Sequence, residues 1–267
     1  MNRPLVQNVR LFIDGALLSY IALFRWLRPA AYLASKVIMP LNQILFFTLL
    51  GMYATGRDNA SFYVIGNALQ LTAVSGIYGV TMSVGGDRWD GTLPYLFGTP
   101  ANRAALFLGR AFFHILDGML GVVLGFFWGV VLLGLDLSHT SLPTLGLIVL
   151  VTTLSSSGLG LLMGCLSLIT RNIMFINNTV YFLLLIFSGA NIPLDSLPLW
   201  MQSFAQGLPL TRGIAAARAV IAGQTVHDVV PLLGGELLIA VVYTSLGYAL
   251  FRWFEHQAKM RGTLEAI

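Results

Sequence analysis

Asp87, Arg88 and Asp90 fall within four consecutive positions of a 267-residue chain in which only 10% of residues are charged. The string around them runs from Gly85 through Gly91, Thr92, Leu93 and Pro94 to Thr99-Pro100-Ala101-Asn102-Arg103, between two long apolar stretches. Carboxylates and guanidinium groups at this density can form charge-assisted hydrogen bonds. They do not suit lipid, where a charge at the bilayer centre is costly. Gly85 to Arg103 is therefore expected to be a loop at one membrane face.

Two further carboxylates, Asp117 and Glu236, fall inside apolar runs. Intramembrane acids are functional candidates by default. Three roles are open to these two, in descending order: structural pairing with Arg110, Arg212, Arg218 or water, a pathway or gate, and proton coupling. Asn67, Gln70, Asn177 and Asn178 either line a pathway or join helices, and joining helices is the commoner use. Phe182 and Glu236 complete the pathway candidates, while Phe46, Phe47, Tyr78 and Phe187 suit lipid contact or packing better than substrate. Ser155-Ser156-Ser157-Gly158 would need a base within hydrogen-bond reach to act as a nucleophile. His114 is the one histidine of four in an apolar run, and no convincing pair emerges, so the serines read as small residues at a tight helix interface. The single cysteine, Cys165, has no disulfide or metal partners nearby in sequence and reads as packing. No catalytic or metal-binding residue is expected.

The elements that must position these groups are membrane helices. Hydrophobic residues make up 57% of the chain, and mean hydropathy is +0.80. The apolar residues are gathered in runs of about 20, the length a helix needs to cross a bilayer. Residues 5–27 repeat apolar positions at helical spacing, with Arg10, Asp14 and Arg25 between them. That pattern predicts an amphipathic interfacial helix ending at Pro29, and no cleavable signal peptide. Six spans follow: 30–53, 62–84, 106–133, 144–169, 173–189 and 230–251. The third carries Gly121, Gly125 and Gly129 at four-residue intervals, which lets a neighbouring helix approach closely. Between the fifth and sixth, Asn191 to Val229 holds Pro193, Pro198, Trp200 and Pro209 but no run long enough to cross. It is expected to form re-entrant or interfacial half-helices packed on protein. The domain plan is residues 1–29 for the interfacial helix, 30–252 for the six-span unit and 253–267 for a cytoplasmic tail.

Orientation follows from the 15 Lys and Arg residues. Placing both termini in the cytoplasm puts twelve on that side, leaving Arg57, Arg212 and Arg218 outside, in accord with the positive-inside rule. The formal net charge of +4 is thereby accounted for without nucleic acid.

In the order of its parts the chain resembles the permease subunits of type-2 ABC exporters. The resemblance rests on Asp87-Arg88-Trp89-Asp90-Gly91-Thr92-Leu93, then Pro100 and Arg103 before the third span. It also rests on Ile192-Pro193 to Trp200, Leu208-Pro209-Leu210-Thr211, and Arg218 to Gly223 before the last. Pro94 departs from it, standing where the family often has an acidic residue. A similar string, Arg261-Gly262-Thr263-Leu264-Glu265, has no span after it and reads as chance or a tail contact. The resemblance implies a dimeric pathway made with a second, identical or homologous, permease and served by two cytoplasmic ATPase subunits, in the inner membrane. The chain has no Gly-x-x-x-x-Gly-Lys-Ser/Thr loop, so ATP and Mg²⁺ would bind the partner and no cofactor this chain. By the same resemblance, Asp87, Arg88, Asp90, Gly91, Thr92, Leu93 and Arg103 would couple to the ATPase, where spacing alone implies a solvated turn. Pro193, Pro198, Trp200 and Pro209 would shape an outer gate. The implied cargo is lipophilic or amphipathic: a drug, an antibiotic or a lipid. Polysaccharide or lipid-linked glycan export by the same architecture is the alternative, followed by an ATPase-independent secondary transporter.

Overall fold

The computed structural model describes residues 3–24, 28–89, 91–98, 101–168, 170 and 172–261. Arg25, Asp90, Thr99, Pro100, Arg171 and residues 262–265 of the C-terminal string lie outside the described residues.

All regular structure among the described residues is helical. Helix α1 (Arg3–Phe24) precedes α2 (Pro29–Thr55), which opens with Pro29 in its first turn, where a missing N–H costs nothing. A single helical rod then comprises α3 (Ala60–Ala73), a π-helical segment (Val74–Val80) and α4 (Thr81–Trp89). After the short α5 (Leu93–Gly98) comes α6 (Arg103–Leu133), capped by the Asn102 side chain, which accepts from the N–H groups of Ala104 and Ala105. The remaining helices are α7 (Leu142–Ser167), α8 (Ile173–Phe187), α9 (Leu199–Ala205), α10 (Thr211–Ile221) and α11 (Val226–Arg261).

Five helices among the described residues are long and apolar enough to cross a bilayer: Ala30–Thr55, Arg57–Arg88, Arg103–Leu133, Leu142–Ser167 and Val226–Met260. Residues 173–189, expected as a sixth span, hold the 15-residue α8. At about 1.5 Å per residue it is about 22 Å long, short of the ~30 Å hydrocarbon core. It stops because Ser188 and the left-handed Gly189 (φ +79°) turn the chain. Two other boundaries differ from expectation. The second rod continues past Val84 to Trp89, and α11 continues ten residues past Phe251.

The α3–α4 rod and α7 form the centre, and α2, α6 and α11 surround them. Composition explains this ordering. The central helices carry Gly, Ser and Thr where they meet: a methyl group added at Gly160 of α7 would lie 1.9 Å from the Gly76 carbonyl oxygen. The outer helices turn large apolar residues such as Phe46, Leu120 and Leu238 outward, as lipid demands. The glycine series of α6 meets α3, with a methyl at Gly125 reaching 3.2 Å from the Ala68 Cα. Helix α1 lies along α6, burying Ala16 and setting Phe12 edge-on to Phe112, with ring centroids 5.5 Å apart.

Candidate functional site

The segment from Asp87 to Arg103 is the first place where the described charges meet. Helix α4 carries Asp87 and Arg88 on its last turn, and Gly91, at φ +65°, reverses the chain, a conformation that favours glycine. Asp87 holds that reversal: its carbonyl accepts from the Thr92 N–H at 2.9 Å and its carboxylate from the Thr92 hydroxyl at 3.0 Å. The other carboxylate oxygen is ion-paired with Arg110 of α6, which also donates to the Ser83 carbonyl. Arg88 reaches the opposite way, donating to the Leu168 carbonyl at 3.0 Å, at the end of α7. There it meets an orphan acceptor and the negative end of the helix dipole. Leu93 then opens α5, with Pro94 in its first turn, a position proline tolerates. The departure at Pro94 is thus compatible with a helix here.

Arg103, at the far end, is buried. Its guanidinium donates at 3.0 Å to the Phe97 carbonyl near the end of α5, and at 2.7 Å to Glu255 of α11. Glu255 also receives Arg252 and Lys259, both at 2.7 Å. The described charges of this segment therefore bind α6, α7 and α11 of their own chain. The outward surface of α5 is instead marked by Tyr95, which is 77% exposed. Neither Glu255 nor Tyr95 is among the residues expected from sequence. The signal for Glu255 was Phe251, Glu255 and Ala258 recurring at helical spacing past the apolar run.

Asp117 is paired structurally, although not with Arg110, which is taken by Asp87. Its carboxylate forms an ion pair with Lys36 of α2 and accepts from the Ser75 hydroxyl at 2.9 Å, Tyr20 at 3.1 Å and Tyr32 at 3.3 Å. The two phenols also hydrogen-bond one another. Burial, the Tyr32 hydroxyl and the Asp117 carboxylate together push the Tyr20 phenol above its ordinary pKa. One carboxylate thus gathers α1, α2, α6 and the π-helical segment. Beside it lies a cavity of about 360 Å³ between α2, the π-helical segment and α6.

Glu236 is fully buried, with neither Arg212 nor Arg218 as a hydrogen-bond partner among the described contacts. It accepts from Ser155 of α7 and, at 2.8 Å, from the Leu210 N–H at the start of α10. Leu210 is the one non-glycine among the described residues with positive φ, at +78°. A carboxylate at a helix N-terminus satisfies orphan donors and the dipole, and here α11 supplies it across space. Arg218 instead stacks 3.5 Å from the centre of the Phe62 ring and donates to the Phe62 carbonyl at 2.9 Å.

The expected gate residues separate by exposure. Pro193 and Pro198 introduce a 3₁₀ turn (Leu194–Ser196) and α9. Trp200 is exposed beside Leu199 and Phe204, and Pro209 is buried. The pathway candidates form a polar seam along α8. Asn67 donates to Asn191 at 2.8 Å, Tyr78 to Asn178 at 2.7 Å, and Ser188 to Gln70 at 3.4 Å. Asn177 is buried without a hydrogen bond among the described residues, and Phe182 faces outward. Glu236 lies apart from this seam, beside α10. Of the serines, Ser156 meets Thr72 at 3.1 Å, and all three are buried between helices.

A model of the ABC-2 type transporter family matches residues 16–222. The chain belongs to this family. Asp87 to Arg103, the Asp117 cluster and α10 all lie inside the matched range, whereas Glu236 and Glu255 lie beyond it. Similar over their lengths are the proteins named "Probable doxorubicin resistance ABC transporter permease protein DrrC" of two Mycobacterium tuberculosis strains, CDC 1551 / Oshkosh and ATCC 25618 / H37Rv. Each is 24% identical across 92% of both chains. "Nodulation protein J" of Rhizobium leguminosarum bv. trifolii is 30% identical over 39% of this chain and 40% of its own. The chain is thus an ABC-2 permease homologous to a permease named for drug resistance.

Proposed function

We propose that this ABC-2 permease is the membrane half of an ATP-driven exporter of lipophilic or amphipathic molecules. Two permease copies, identical or homologous, work with two cytoplasmic ATPase subunits that bind ATP and Mg²⁺. Helix α8 serves as the sixth crossing, in a locally thinned or protein-lined part of the bilayer, and both termini lie in the cytoplasm of an inner-membrane protein. The observation that carries the reading is the wiring of Asp87 to α6, Arg88 to α7 and Arg103 to α11. A force applied to α5 is shared among three long helices without slack.

In this mechanism the charges position α5, and its exposed face, centred on Tyr95, meets the ATPase. Closure of the ATPases on nucleotide displaces α5, the three attached helices rearrange, and the pathway between permeases opens outward past α9 and α10. The Lys36 ion pair on Asp117 and the contacts of Glu236 Oε1 with Ser155 and the Leu210 N–H support structural roles over proton coupling, while Glu236 Oε2 is buried without a hydrogen bond among the described residues. The relatives named for doxorubicin resistance support a lipophilic cargo over a glycan.

Purification in mild detergent from the native membrane, with mass spectrometry of the co-purifying proteins, tests this reading. A stoichiometric subunit carrying a phosphate-loop ATPase is expected. A lone oligomer, reproducibly without one, would overturn it.

A further inference from the structure

The cavity beside Asp117 combines a size, a wall chemistry and a charge that suit one class of ligand. Its size, about 360 Å³, falls in the range of small-molecule sites. Its walls are mostly apolar, with Met39 from α2, Leu71 from α3, Val74 from the π-helical segment and Met82 from α4. Methionines make such a surface adaptable to ligand shape. Its polar lining, which also includes Ser35, Ser75, Tyr78 and His114, carries one ion pair, Lys36 with Asp117, whose two halves are presented unequally. The Asp117 side chain is 5% exposed and sits beneath four donors, whereas that of Lys36 is 25% exposed. The charge that an occupant meets is therefore the ammonium. His114, the other titratable group facing the cavity besides Tyr78, is buried beside Gly79.

Lys36 lies on the second turn of α2, about 10 Å from the start of that helix at 1.5 Å per residue. That depth is within reach of lipid headgroups for a long basic side chain. An ammonium at headgroup depth with an apolar cavity behind it complements a molecule with one acidic head and a hydrocarbon body.

We propose that this cavity is a binding site for an anionic amphiphile, with its phosphate or carboxylate on Lys36 and its apolar body among Met39, Leu71, Val74 and Met82. The site lies within one chain, so it does not depend on how copies associate or on an ATPase.

The test is native mass spectrometry of the full-length chain in detergent, titrated separately with dioleoylphosphatidylglycerol and dioleoylphosphatidylcholine. Retention of one phosphatidylglycerol per chain is expected, favoured about fivefold to tenfold over phosphatidylcholine, the effect of roughly one basic contact. Lys36→Arg should keep the preference and Lys36→Gln should abolish it. Because Lys36→Gln strips Asp117 of its counter-ion and can unfold the site, Met82→Trp provides a second variant that fills the cavity and spares the ion pair. It should lower phosphatidylglycerol retention by a similar factor with the thermal unfolding midpoint preserved. Equal retention of the two lipids by the wild type, or undiminished retention in folded Met82→Trp, would overturn the proposal. Proteoliposomes containing the chain and its co-purified ATPase separate two sources of the occupant. ATP-dependent transfer of labelled phosphatidylglycerol between leaflets would mark it as cargo, and retention without transfer would mark it as a resident lipid. Both outcomes support an occupied site.

Discussion

Arg103 and Glu255 are 152 positions apart in the chain, yet their side chains meet at 2.7 Å in a pocket that leaves each less than one-tenth exposed. Through Arg103 the same contact extends to the Phe97 carbonyl, so the far end of α11 is tied to the last turn of α5. Breaking a buried pair from one side leaves an uncompensated charge, at a cost of about 3–5 kcal/mol. Glu255→Ala should therefore lower the thermal unfolding midpoint in detergent and weaken ATPase co-purification. Glu255→Gln, which keeps an acceptor for the Arg103 guanidinium, should lose less of both. Full stability in Glu255→Ala would show that the pair is dispensable.

The charges on α4 should behave differently from the exposed face of α5. Replacing Asp87 with Asn and Arg88 with Gln together releases α5 from α6 and α7. Transport per ATP hydrolysed should then fall about tenfold, within the usual range of coupling energies. The Tyr95 side chain makes no hydrogen bond or ring contact among the described residues, so Tyr95→Ala should leave unfolding unchanged. It should nevertheless weaken ATPase association about tenfold, as loss of an exposed aromatic anchor does. Unchanged transport in the double variant would remove α5 from the coupling route.

Helix α7 contains its own control for the close approach at the centre. A methyl at Gly160 would collide with the Gly76 carbonyl, whereas at Gly146 nothing lies within 4 Å. Gly160→Ala should lower the unfolding midpoint and the yield of folded protein. Gly146→Ala should be neutral or add up to about 1 kcal/mol through helix propensity. Equal behaviour of the two would mean that the central helices do not pack through this glycine.

Glu236 distinguishes a cap from a proton carrier. Glu236→Gln keeps an acceptor for the Leu210 N–H, while Glu236→Leu leaves that donor buried without one, at about 1–3 kcal/mol, although Ser155 keeps the Thr152 carbonyl at 2.9 Å. Glu236→Gln should transport normally and Glu236→Leu should be thermally unstable. Loss of transport in a fully folded Glu236→Gln would instead implicate ionisation of this group.

The spans were legible where apolar runs were long, because hydrocarbon thickness sets their length. The five long helices overlap the expected ranges for that reason. What the runs conceal is where a helix goes once it leaves lipid. Asp87 and Arg88 looked like loop residues by their charge, yet Arg110 and the Leu168 carbonyl satisfy them and the helix continues. Glu255 looked like tail for the same reason. Lys36 and Asp117 are joined across 81 positions, a relation that no local spacing encodes. The order of motifs pointed to the family more firmly than any single residue pointed to a partner.

The π-helical segment Val74–Val80 sits between two α-helical stretches of one rod. Such a segment widens the turn, and each extra residue it absorbs rotates everything beyond it by about 100° relative to an uninterrupted α-helix. The residues of α3 and α4 therefore keep different phase around one axis. Asn67 and Gln70 meet the α8 side, while Asp87 leaves the rod toward α6 and Arg88 toward α7. Removing a single residue from this stretch would let the wide turn close to an α-helical one and leave Asp87 and Arg88 facing their partners, whereas removing one from α3 or α4 would rotate them away by about 100°. The wide turn thus lets the rod hold an extra residue while its two ends keep their separate partners.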